Sequence, residues 1–239
     1  MQHELVLQLA TLAAQLQRGA VGFRQKDVRF LYEQLWNWQA ASGAAPLHNT
    51  QILRSQAALV AAGLLRTRGR GRHPSYLLEP AGVFHLVRRT RDLALAGASP
   101  EFRLVAYFFT AYGDRIVALA KSSEMRALVD VVALTRNRVA QLEKETTYWK
   151  GRVREIREVA KSAKARLAKG EAPEAIIADI ARDHPYELGY QKPLLEVFDE
   201  TERPLMVWEL VHGNGLRIEL LWEPRIRMLE TEIAVLKNR

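Results

Sequence analysis

Twelve positions follow one another in alternating steps of four and three: Leu128, Val132, Thr135, Val139, Leu142, Thr146, Trp149, Val153, Ile156, Ala160, Ala163 and Leu167. No other pattern restricts the chain as tightly. A mean step of 3.5 residues puts all twelve on one stripe of an α-helix and on no face of a strand. At about 1.5 Å per residue such a helix spans about 60 Å, and a stripe of that length has to be covered by something. The spacing predicts a coiled-coil or bundle helix over 122–169, with Leu128, Val132, Val139, Leu142, Trp149, Val153 and Ile156 forming the seam of a homodimer. Two threonines and a tryptophan in the seam make it loose. Parallel pairing, antiparallel pairing and packing on other helices of the same chain all remain open.

Upstream, helical spacing recurs over 4–17 (Leu5, Leu9, Leu12, Leu16) and over 28–39 behind Asp27. A third helix is read over 49–62, opened by the capping residues Asn49 and Thr50 and closed by Gly63. The apolar piece around Gly19 and Gly22 reads as a brief strand. Leu64–Thr67 and Ser75–Glu79 read as two strands, and Gly69–Pro74 supplies the glycines and proline that turn the chain between them. Pro80 opens a further helix through Val83, Leu86 and Val87. Helix, helix, helix, hairpin, helix is the plan of a winged helix-turn-helix.

The stretch LVAAGLLRTRGRGRHPSYLLEPAGVFHL, residues 59–86, resembles winged-helix bacterial regulators of the PadR-like and MarR-like families. Leu59, Gly63, Leu64, Leu65, Tyr76, Leu78 and Gly82 stand where those families carry a leucine, a Gly-Leu-Leu, a Tyr-x-Leu strand and a glycine. Gln56 stands where an apolar residue is common. The resemblance implies a DNA-binding domain over 1–95 and a sequence-specific transcriptional regulator, a repressor, acting as a dimer on duplex DNA.

The distribution of charge agrees with an anionic partner. The net charge is +8, and it is not evenly spread. Residues 64–91 hold seven arginines and one glutamate, 121–169 hold thirteen basic and six acidic residues, and 170–239 hold eight basic and fourteen acidic ones. In the hairpin Arg66, Arg68, Arg70, Arg72 and His73 are interleaved with Thr67, Gly69 and Gly71; arginine suits both phosphates and a narrow minor groove. On the third helix Asn49, Thr50, Gln51, Arg54 and Ser55 are the candidate base readers, since amides pair with adenine and arginine with guanine. Arg88 and Arg89 are candidate phosphate contacts. The basic stretch of the long helix is either a second DNA surface or is neutralised by the acidic C-terminal third.

Residues 96–121 read as a connecting helix. Residues 170–239 read as an acidic α+β region, with short helices over 173–182 and 193–200 and a hairpin of Leu205–Val211 with Leu216–Trp222 around His212-Gly213-Asn214-Gly215. A last helix runs from Pro224 through Ile226, Leu229, Ile233 and Leu236. The expected class is therefore mainly α with small β-hairpins. With no cysteine, disulfides, thiol catalysis and cysteine-ligated metals are excluded. The six histidines show no metal-ligand spacing, and neither a P-loop nor a nucleophile elbow occurs, so no enzyme, cofactor or metal is expected. No apolar run approaches the ~18–20 residues of a membrane span, and no leader is read at the start, which predicts a cytoplasmic, nucleoid-associated protein. Two other function classes share these features: plasmid replication, partition or chromosome-organising proteins with little sequence preference, and winged helices that bind only protein.

Overall fold

The computed structural model describes residues 3–39, 48–69, 74–183 and 218–238. The chain is mainly helical, with one two-stranded antiparallel hairpin among the described residues. In order come α1 (His3–Arg18), a 3-10 turn (Gly19–Val21), α2 (Gln25–Gln39), α3 (Asn49–Ala61), β1 (Leu65–Arg68), β2 (Ser75–Leu78), α4 (Pro80–Ala96), α5 (Ser99–Ala120), α6 (Glu124–Val129), α7 (Val131–Ala168), α8 (Pro173–Asp183), a π turn (Ile218–Trp222) and α9 (Glu223–Lys237). Two compact units divide the chain, residues 1–138 and 139–239, and the boundary falls inside α7.

In the first unit α1 is the central element. Leu5, Val6, Leu9 and Leu12 are fully buried, and α1 packs against α2, α4 and α5. Each buried leucine contributes about 2 kcal/mol by leaving water. Gln15, buried on the same helix, gives its amide a partner on both sides: its Nε2 donates to the Gly19 carbonyl (2.7 Å) and its Oε1 accepts the Leu78 N–H (2.8 Å). One side chain thus ties β2 to α1. Residues 99–120, expected as a connector, form α5 of this unit; Phe102, Val105, Phe108, Phe109 and Ile116 are buried.

The hairpin pairs Leu65 with Leu78, Arg66 with Leu77, Thr67 with Tyr76 and Arg68 with Ser75. The brief strand expected near Gly22 is a single residue. Phe23 exchanges backbone hydrogen bonds with Tyr76 (2.9 and 2.7 Å), behind a 3-10 turn rather than a run of strand. Gly22 makes the approach feasible, with φ at +84° and its missing Cβ 2.7 Å from the Tyr76 carbonyl oxygen.

The long helical stretch is divided. The Asp130 carboxylate accepts the N–H groups of Val132 (2.9 Å) and Ala133 (3.1 Å), which caps a new helix and separates α6 from α7. The expected single register from Leu128 is therefore broken at its start. Leu134 and Arg138 turn inward there, while Val132 is 69% exposed.

In the second unit Leu142, Thr146, Val153, Ile156 and Ala163 are buried, as the four-three pattern requires, and Val159 takes the inward place beside Ala160. Their cover comes from the same chain. Val153 and Ile156 cluster with Ile218 and Ile226, and Trp149 and Trp222 pack against the cluster with ring centroids 6.2 Å apart. Ion pairs Arg157–Glu223 (2.5 Å), Lys150–Glu230 (2.6 Å) and Lys237–Glu143 (2.6 Å) descend α7 as they ascend α9, so the two helices run antiparallel. Packing on another helix of the same chain, one of the three partnerings open from the sequence, is formed along this stretch, and acidic residues of the last helix neutralise part of the basic one.

The expected second hairpin is corrected where it is described. Residues Ile218–Trp222 form a π turn leading into α9, not a strand. Ile218, Trp222, Ile226 and Leu229 are spaced four, four and three apart, a helical period that outweighs the short alternation Ile218-Leu220-Trp222. Leu205–Val211, its turn and the expected helix over 193–200 lie outside the described residues. No described helix is long and apolar enough to cross a membrane.

Candidate nucleic-acid interface

The candidate readers sit at the start of α3, and the local sequence determines which of them are occupied. His48, not Asn49 or Thr50, is the N-cap. Its Nδ1 accepts the Thr50 N–H (3.5 Å) and meets the Thr50 hydroxyl at 3.1 Å, while Gln51 Oε1 accepts the His48 N–H (3.1 Å). This is a capping box with histidine in the role of serine. It commits the Gln51 side-chain oxygen to the cap.

Asn49, Thr50, Gln51 and Arg54 are exposed and Ser55 is half-buried; Ile52, Gln56 and Leu59 form the inner face. Ala57, Ala58 and Ala61 are also exposed. Beyond its polar start, α3 therefore presents a smooth outer wall to anything that approaches. Arg54 makes no ion pair among the described residues.

The hairpin follows α3 at once. Gly63, at φ +69°, ends the helix, and Leu64 N–H returns to the Leu59 carbonyl (2.9 Å). Two of the four hairpin arginines, both on β1, are engaged. Arg66 pairs with Glu79 (2.9 Å), and Arg68 donates to the Ala20 carbonyl (2.5 Å), bracing the hairpin against the 3-10 turn. Arg70, Arg72 and His73 lie outside the described residues. Gly82 holds the hairpin to α4: a Cβ there would stand 2.1 Å from the Leu64 carbonyl oxygen.

The two phosphate candidates on α4 differ. Arg88 is exposed and makes no ion pair among the described residues. Arg89 holds Glu4 through Nε (2.8 Å) and one terminal nitrogen (3.2 Å), and this hydrogen bonding keeps the Glu4 carboxyl below its ordinary range. Arg89 is thus a clamp between α4 and α1.

The expected seam residues are also placed. Leu142, Val153 and Ile156 are buried, Leu128, Val139 and Trp149 are partly covered, and Val132 alone of the seven is exposed.

A group that the sequence reading passed over lies at the start of α2. Gln25 Nε2 donates to the Asn49 carbonyl (3.3 Å), which brings the beginnings of α2 and α3 together and sets exposed Arg24 and Lys26 in the same neighbourhood. The signal was present in Asp27. Its carboxylate accepts the Arg24 N–H (2.8 Å), the return bond of a cap three residues back. Burial raises the Asp27 carboxyl, but the Arg18 hydrogen bond (2.6 Å), the Arg24 N–H and the nearby cations hold it net below its ordinary value.

Comparison with family models, with characterised proteins and with solved structures returns no match to this chain.

Proposed function

We propose that residues 1–95 form a winged helix-turn-helix that binds double-stranded DNA, with α3 in the major groove and the β1–β2 hairpin as the wing. One observation carries this reading. Gln51, Arg54, Ala58 and Ala61, in steps of three, four and three, make an exposed stripe on α3, and the arginine hairpin begins four residues beyond its end. The stripe offers an amide, a guanidinium and two methyl groups, the chemistry that reads base edges at close approach. Asn49, Arg24 and Lys26 beside it, with Arg88 on α4, supply positioning contacts to phosphate. The protein then acts as a transcriptional regulator, a repressor by occlusion. Two copies on a pseudo-symmetric site complete the reading, with exposed Val132 as the seam residue offered to the second copy.

A second reading is favoured by the capping box. Gln51 Oε1 and the Thr50 hydroxyl are both occupied at the N-cap, which reduces the hydrogen-bonding atoms left for bases. That favours a DNA-organising protein with weak sequence preference. Footprinting separates the two: one short protected site supports the regulator, continuous protection the organiser.

The binding itself is tested by fluorescence anisotropy on random duplexes across a salt series. With Arg24, Lys26, Arg70, Arg72 and Arg88 on phosphates, the logarithm of affinity falls with that of salt at a slope of about −4 to −5. Arg70→Ala with Arg72→Ala spares the anchors Arg66 and Arg68 and reduces the slope by about 2. A chain that binds no duplex at low salt refutes the reading in favour of a protein-binding module.

A further inference from the structure

On α7, Lys150, Arg154, Arg157, Lys161 and Lys164 recur in steps of four and three, so five cations share one face beside the apolar seam. Between that face and α9 lies an open pocket of about 440 Å³. This volume falls in the range of small-molecule sites, which begins at about 300 Å³. Its floor is apolar, made by the buried side chains of Val153 and Ile226.

The charges around the pocket are unequally matched. Glu223 takes Arg157 (2.5 Å) and stands 3.8 Å from Arg227, and Glu230 takes Lys150 (2.6 Å). Arg154 and Lys161 also line the pocket and make no ion pair among the described residues. They are two helical turns apart on one face, with Arg157 between them. Glu158 also lines the pocket, so five lining cations face two carboxylates, and an apolar floor beneath this excess of positive charge selects a ligand with both characters. A phosphodiester backbone and a small polar anion make no use of the apolar floor that Val153 and Ile226 form.

We propose that the pocket between α7 and α9 binds a small amphipathic anion, a carboxylate or sulfonate on an aliphatic or aromatic body. The anionic head lies between Arg154 and Lys161, and the body rests on Val153 and Ile226. The site is built within residues 139–239 and does not depend on duplex binding by residues 1–95. The same chemistry is found in free acids and in anionic lipid surfaces; the pocket's size favours the free acid.

The test uses the full chain and 8-anilinonaphthalene-1-sulfonate, read by fluorescence titration, with decanoate as competitor. Saturation at one probe per chain and displacement by decanoate are expected. Arg154→Gln with Lys161→Gln weakens the probe about tenfold, from two exposed charge contacts. Lys164→Gln with Lys169→Gln removes the same charge outside the pocket and leaves probe affinity unchanged. The fold of each variant is checked by its melting curve. Equal weakening in both double variants, or none in the first, overturns the proposal. So does a fall in duplex affinity in Arg154→Gln/Lys161→Gln, which would mark the face as a nucleic-acid surface. Sedimentation with phosphatidylglycerol vesicles separates the sources: the chain is expected in the supernatant, and pelleting that requires Arg154 and Lys161 overturns the free-acid assignment.

Discussion

Gln56 offers the sharpest test of the packing beneath α3. It is 2% exposed, and neither its Nε2 nor its Oε1 has a hydrogen-bond partner among the described residues. Buried Gln15 has both of its amide atoms satisfied and shows what such a side chain ordinarily requires. A buried polar group without a partner costs about 1–3 kcal/mol in lost hydration. Gln56→Met keeps the unbranched shape and nearly the same volume, so it removes the penalty without a cavity or a clash. The variant is therefore expected to be more stable by about 1–3 kcal/mol. For a unit of this size that is about 3–10 °C in melting temperature. Thermal unfolding followed by circular dichroism, paired with a urea titration, reads both quantities. Since Gln56 is on the inner face of α3, duplex affinity should not change. A melting temperature equal to or below that of the parent would show that the amide is satisfied, and the argument would fail.

Two further predictions concern the frame that holds the candidate interface. Gly82→Ala places a Cβ against the Leu64 carbonyl oxygen at 2.1 Å, so the hairpin must move; a loss of about 3 kcal/mol in urea unfolding is expected, together with weaker duplex binding. Asp27→Asn removes a carboxylate whose folded value lies below its ordinary one. Its contribution is complete above the unfolded value, near 4, and is lost as the pH falls through the lower folded value. The melting difference between parent and variant should thus be largest near neutral pH, where losing the cap costs about 1 kcal/mol, and should close in acid.

Helix punctuation was the most legible part of the sequence. Gly63 ends α3, Pro80 lies in the first turn of α4 and Pro224 in that of α9, because each residue acts through its own backbone. What could not be read depends on partners distant in the chain. The hairpin and α4 arginines stood out by charge, yet Glu4 and Arg89 are 85 residues apart, and Arg68 reaches Ala20 across 48. Nothing local marks those arginines as engaged. The break at Asp130 fell between these cases. Its residue type suits a cap, but the four-three pattern continues across it, and only the inward turn of Leu134 and Arg138 shows the register has moved. Histidine at the α3 cap was hidden by two better cap residues beside it.

A basic balance in this chain is in part a consequence of helical architecture. Three arginines of the first unit are spent on helix ends. Arg115 donates to the Leu16 carbonyl at the end of α1 (2.6 Å), and Arg138 to the Leu95 carbonyl at the end of α4 (2.6 Å). Arg91 donates to the Ala127 and Leu128 carbonyls at the end of α6 (both 3.1 Å). The last carbonyls of a helix lack intrahelical partners and carry the negative end of its dipole, so a guanidinium answers both needs. Arg66 and Arg89 are matched by Glu79 and Glu4 in the same way. Counting charge over 64–91 therefore overstates what can meet a polyanion. Among the described residues Arg88, with Arg24, Lys26 and Arg54 outside that stretch, makes no ion pair, and this small set is why the salt dependence of duplex binding, rather than net charge, tests the proposed interface.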